Sequence, residues 1–81
     1  MEQDGNNHWF VEVGNLRLTF IPKKDRPNAK DWAGSDVIRI QARRNDRNAS
    51  LHMGAEYPVS GESDVTKLML GLRGLYAKSQ S

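Results

Sequence analysis

The sequence predicts an α+β domain: a four-stranded antiparallel sheet built from two hairpins, with one C-terminal helix packed on one face. Three observations point there. Residues 9–21 alternate apolar and polar side chains around a Gly14-Asn15 pair. Residues 36–57 alternate again around the polar stretch Asn45-Asp46-Arg47-Asn48. From Val65 onward the apolar residues change to helical spacing. A period of two that gives way to one near 3.6 reads as strands followed by a helix.

Residues 1–7 are polar, with Gly5 and Asn6-Asn7, and read as a disordered tail before a single domain over 8–78; residues 79–81 read as a frayed C-terminus. The first hairpin turns at Gly14-Asn15, where glycine supplies the positive φ of a type II′ turn. That turn fixes the register: Val13 faces Leu16, Glu12 faces Arg17, Val11 faces Leu18 and Phe10 faces Thr19. One face then carries Trp9, Val11, Val13, Leu16, Leu18 and Phe20, and the other Phe10, Glu12, Arg17, Thr19 and Ile21. A slip of one residue would destroy the separation. Pro22 to Ser35 holds two prolines, a glycine and four basic residues, which mark a long loop of the functional or disordered kind.

In the second hairpin, pairing Arg44 with Ala49 sets Ile40 opposite Met53 and Ile38 opposite Ala55. The polar face then shows Arg39, Gln41, Arg43, Ser50, His52 and Glu56, and Gly54 marks a possible bulge. Ser60 or Ser63 is placed to cap the helix, with Glu62 and Asp64 near its positive end. Val65, Leu68, Met69, Leu72, Leu75 and Tyr76 form one apolar stripe. On this reading Val11, Leu18, Ile40, Leu51, Leu68 and Leu72 are buried between helix and sheet, and the other sheet face is open to water.

Composition narrows the function. The 81 residues contain no cysteine, which excludes disulfides, thiolate zinc sites and thiol catalysis. No apolar run approaches a membrane span, and the N-terminal residues lack a signal-peptide pattern, so a cytoplasmic protein is expected. A domain this small without staples gains little from its core, which favours a homodimer. Charge is uneven: the net charge is only +2, yet residues 17–47 hold nine basic and four acidic residues.

The open face therefore combines Phe10 with Arg17, Arg39, Gln41, Arg43 and His52, beside a loop carrying Lys23, Lys24 and Trp32. Cations with an interleaved aromatic suit a single-stranded nucleic acid: arginines meet phosphates, Phe10 stacks a base, and Gln41 and His52 add hydrogen bonds. The ordinary alternative is a solvated polar face. Trp32 likewise has two readings, an anchor for the loop or an exposed stacking residue. The rival function is a protein-interaction or inhibitor module, of the accessory type found in phage and mobile elements, using the same face or the 22–35 loop.

Glu12-Val13-Gly14-Asn15-Leu16-Arg17-Leu18 and Val37-Ile38-Arg39-Ile40 resemble the opening strands of the positive-cofactor-type transcriptional coactivators, a single-stranded-DNA-binding family. The resemblance implies four antiparallel strands, a dimerising C-terminal helix and sheet faces that grip single strands. The longer loop at 22–35 departs from that pattern, as does the lack of a lysine-rich turn before the last strand.

Catalysis and metal binding find no support. His52 and Glu56, four apart on one strand, stand roughly 13 Å apart and cannot chelate one ion. No Gly-x-Ser-x-Gly element or Ser/His/acid spacing is present, and Gly71-Leu72-Arg73-Gly74 falls inside the helix rather than before it. The expectation is a binding protein with no catalytic residues, no metal and no cofactor.

Overall fold

The computed structural model describes residues 1–43 and 51–81. The chain forms β1 (Glu2–Gln3), β2 (Trp9–Val13), β3 (Leu16–Ile21), a 3-10 turn at Lys23–Asp25, β4 (Asp36–Ala42), β5 (His52–Val59) and α1 (Glu62–Ser79). The strands make one open antiparallel sheet in chain order, β1-β2-β3-β4-β5, with five strands where the sequence indicates four.

The first hairpin has the expected register, Val13 to Leu16 through Phe10 to Thr19. Gly14 takes φ 59° while Asn15 keeps a negative φ, as a type II′ turn requires. Pairing of Leu18 with Ile40 and Thr19 with Arg39 joins the hairpins into one sheet.

The extra strand comes from the expected tail. Glu2 pairs with Phe10 and Gln3 with Trp9. Asp4 makes the turn between them: its Oδ1 accepts from the Asn6 and His8 N–H groups at 2.9 and 3.0 Å, and its own N–H donates to the His8 carbonyl at 2.9 Å. Asn7 takes φ 64°, which asparagine tolerates better than most residues. A two-residue strand is too short to produce a periodic signal.

In the second hairpin Ile38 pairs with Tyr57 and Ile40 with Ala55, two residues further along β5 than expected. A shift of two preserves the faces. Beyond it the register changes, because Ala42 pairs with His52, so Met53 and Gly54 together oppose Gln41. This is the bulge that Gly54 suggested. A Cβ on Gly54 would lie 1.5 Å from the Ile40 carbonyl oxygen, so no side chain fits there. The expected Arg44–Ala49 pairing, the turn at Asn45–Asn48 and Ser50 lie outside the described residues.

The packing departs furthest from expectation at the helix. Gly61, extended at φ −177°, is the N-cap, rather than Ser60 or Ser63. Asp64 reaches back instead, its Oδ2 accepting from the Ser60 N–H at 2.8 Å and the Ser60 hydroxyl at 2.9 Å. These bonds hold the Asp64 carboxyl below its usual range. Tyr57 Oη donates to the Asp64 carbonyl at 2.7 Å and ties the first turn to β5. The chain enters α1 directly from an edge strand, and only the first two turns meet the sheet: Val65 and Leu68 are half-buried, while Leu72 and Tyr76 are 60% and 70% exposed. The helix therefore does not cover the apolar face. Val11, Leu18 and Ile40 are half-buried there, Trp9, Val13, Leu16 and Phe20 are exposed, and Leu51, half-buried, lies just before β5.

Among the described residues the buried apolar ones are Ile21, Val37 and Val59. Ile21 and Val37 are directly paired and share a face with Thr19, which is also buried. This is the face expected to be open.

Candidate nucleic-acid interface

Alternation along the paired strands places Phe10, Glu12, Arg17, Thr19, Arg39, Gln41 and Glu56 on one face. The arginines on it are organised by two carboxylates. Glu12 Oε1 accepts from Arg17 Nε at 3.2 Å and Nη2 at 2.6 Å, and Arg43 Nη1 reaches both Glu12 oxygens at 3.0 Å. Arg43 lies just past β4, where its N–H donates to the Asn15 carbonyl at 2.8 Å. Glu56 Oε2 accepts from Arg39 Nε at 3.0 Å and Nη2 at 2.8 Å.

The second Glu56 oxygen takes Arg26 Nη2 at 2.8 Å. Arg26 is 8% exposed, and its remaining bonds go to the carbonyls of Asp31 at 2.8 Å, Trp32 at 2.9 Å and Ser35 at 3.0 Å. One guanidinium thus fixes the loop onto the sheet. A planar fork of five donors is suited to this role.

The two carboxylates titrate low. Hydrogen bonds from Arg17 and Arg43 hold Glu12 below the usual carboxylate range. Partial burial pushes Glu56 up, but the bonds from Arg39 and Arg26 together outweigh it, and its carboxyl also ends below the ordinary value. Both are ionised at neutral pH, so each is a fixed anion that orients two guanidinium groups.

A concavity of about 660 Å³ opens over this face, lined by Arg17, Thr19, Arg39 and Gln41 from the sheet and by His8, Lys24 and Arg26 from the loops. His8 Nε2 lies 2.9 Å from Asp25 Oδ2 and links the β1–β2 turn to the 3-10 turn at its rim. The Arg17 guanidinium carbon stands 4.2 Å above the Phe10 ring centre, within cation–π range.

Of the residues the sequence singles out, Arg17, Arg39, Gln41 and Lys24 line the concavity, with Phe10 beneath Arg17 and Arg43 beside Glu12. Lys23 is exposed on the same turn but does not line it. Trp32 is 52% exposed on the loop, next to Gly54 and Ala55 rather than in the concavity. His52 does not join them. The bulge pairs it with Ala42, whose face is the apolar one, because one extra residue in β5 reverses the alternation.

Sequence reasoning missed Glu12 and Glu56 as organisers and Arg26 as the loop's anchor. The glutamates left a signal, since the registers set Glu12 opposite Arg17 and Glu56 on the polar face. Arg26 left none: a loop has no periodicity to reveal a buried side chain.

Among the described residues no group of three or more His, Asp or Glu side chains is placed to hold a metal ion. No helix among them is long and apolar enough to cross a membrane. Comparisons with protein-family models, curated proteins and solved structures return no match.

Proposed function

We propose that this chain binds single-stranded nucleic acid, DNA or RNA, across the Arg17–Arg39–Arg43 face. The observation that carries the reading is the set of arginines held side by side on one sheet face by Glu12 and Glu56. Among the described residues, Arg17 Nη1 and Arg39 Nη1 make no hydrogen bond within the protein, so each guanidinium keeps a donor for phosphate. The Arg17 guanidinium carbon sits 4.2 Å from the Phe10 ring centre, and guanidinium planes can themselves stack on bases. Gln41 and Lys24 also line the concavity, with Asp4 and Asp25 at its His8 side. The reading is one of binding rather than catalysis and needs no cofactor. It agrees with the resemblance to the single-stranded-DNA-binding coactivators, and with it a role in transcription regulation. A cytoplasmic setting fits the absence of cysteine.

The assembly proposed with it is a homodimer, in which a second copy covers the helix stripe that one chain leaves 58–71% exposed at Met69, Leu72, Leu75 and Tyr76. The rival reading is a protein-interaction module using the same face or the 22–35 loop, where Trp32 is 52% exposed; Trp9, Val13, Leu16 and Phe20 expose a further apolar patch on the opposite sheet face.

An oligonucleotide of about 10–20 bases tests the reading, with affinity expected to fall log-linearly as salt rises. Changing Arg39 and Arg43 together to Ala is expected to weaken binding about tenfold and lower the salt slope by about 1–2. Phe10→Ala is expected to weaken it by about 1–3 kcal/mol at an unchanged slope. No binding to single or double strands at about 50 mM salt would end the nucleic-acid reading and promote the protein partner.

A further inference from the structure

We propose that Trp32, with the notch beside it, is a stacking subsite for one base of the bound strand, at the opposite end of the arginine face from Phe10. The inference rests on the single-strand reading and extends it to a place outside the concavity.

Trp32 adopts φ 56°, a left-handed conformation that is rare and strained for a bulky residue. Its side chain is nevertheless 52% exposed. A tryptophan that anchors a loop would be buried in a relaxed backbone. Here the backbone conformation carries strain, and about half of the residue's surface is left in water. Arg26, buried below, holds the conformation in place by binding the carbonyls of Asp31, Trp32 and Ser35. Strain of this kind, fixed by its surroundings and ending in an exposed aromatic, is characteristic of ligand clamps.

The space beside Trp32 suits a flat ring. An open notch of about 540 Å³ is bounded by Lys30, Asp31, Trp32, Gly54, Ala55 and Glu56. Its strand side is low because Gly54 has no side chain and can have none, given the Ile40 carbonyl. Glu56 borders the notch and binds Arg39, so the notch adjoins the arginine face. From Phe10 on β2 to Gly54 on β5 is three strand spacings, about 14 Å at ~4.8 Å each. A strand crossing the sheet would set one base at each aromatic, with phosphates at Arg39 and Lys30. Asp31 repels phosphate and accepts hydrogen bonds from amino groups, so it orients the base edge inward and the backbone toward Lys30.

The test uses the two tryptophans of the chain. Trp9→Phe leaves Trp32 as the sole indole reporter. Titrating this variant with a mixed-sequence DNA oligonucleotide of about 12 bases is expected to quench its emission saturably. Trp32→Ala is expected to weaken binding about tenfold at an unchanged salt slope, with Trp32→Phe restoring most of the loss. Trp32→Gly is the sharper variant. Glycine accepts φ 56° without strain, so the melting temperature is expected to hold or rise while affinity drops as in the alanine variant. Wild-type affinity in Trp32→Ala, an unquenched Trp32, or a marked fall in the melting temperature of Trp32→Gly would each overturn the subsite. If the oligonucleotide still binds with the expected salt slope, the arginine-face reading survives that failure. Absence of oligonucleotide binding by the unmodified chain overturns both.

Discussion

Arg26 and Glu56, thirty residues apart, meet at 2.8 Å where the loop crosses the sheet, and the same carboxylate binds Arg39 through its other oxygen. One glutamate thus joins a buried cation that shapes the loop to a half-exposed cation that faces the ligand side.

Replacing Arg26 should therefore cost more than an ordinary loop substitution. Arg26→Ala leaves three carbonyls without their donor and strips Glu56 of its buried partner. Breaking a buried pair from one side typically costs about 3–5 kcal/mol. Chemical denaturation should show a loss of that order. Arg26→Lys should recover only a fraction, since one ammonium cannot span four acceptors laid out for a planar fork.

Acid should weaken the fold through the same carboxylates. Glu12, Glu56 and Asp64 all titrate below their ordinary values in the folded chain. A depressed folded pKa stabilises the protein above the unfolded value, and that stability is lost as pH falls through the folded one. Denaturation midpoints should hold steady near neutrality and decline below the ordinary glutamate value of 4.5. Glu56→Gln should lower the neutral midpoint and flatten the acid decline.

Glu12 offers a gain-of-function test. It is exposed, so solvent screens its pairs and losing its charge should disturb the fold far less than losing that of Glu56, and it occupies donors of both Arg17 and Arg43. Glu12→Gln removes the competing anion, so oligonucleotide affinity should rise about three- to tenfold with a steeper salt slope. Unchanged affinity would place the phosphates away from Arg17 and Arg43.

The sequence indicates that Leu72 is a core residue whose truncation costs about 2–5 kcal/mol. At 60% exposure in one chain, Leu72→Ala should instead cost less than about 0.5 kcal/mol in dilute solution. If a second copy covers the stripe, the cost should grow with protein concentration and the melting temperature should become concentration-dependent. Denaturation at two concentrations a hundredfold apart separates these outcomes.

What the sequence made legible follows from where information is local. The β2–β3 register was readable to the residue, because a two-residue turn and strict alternation both constrain it. The Arg17–Arg39–Gln41 grouping followed from the same alternation. The β4–β5 register differs by two residues from the one alternation predicts, because no two-residue turn fixes it, and the bulge at Gly54 carries His52 to the apolar side. The apolar stripe lies on a helix as its spacing predicts, but periodicity identifies a face and not what covers it. The tie from Arg26 to Glu56 and the backbone of Trp32 depend on contacts distant in sequence, and no local pattern records them.

The thirty-residue separation of Arg26 and Glu56 also orders events in time. The β2–β3 hairpin is local, and hairpins of this size close in about 1–10 μs. A chain that has formed only this hairpin already presents Phe10, Glu12 and Arg17 together. It has no Glu56 to receive Arg26, and so nothing to hold Trp32 in its left-handed turn. One end of the arginine face can thus assemble early, while the loop end waits for the last strand to dock.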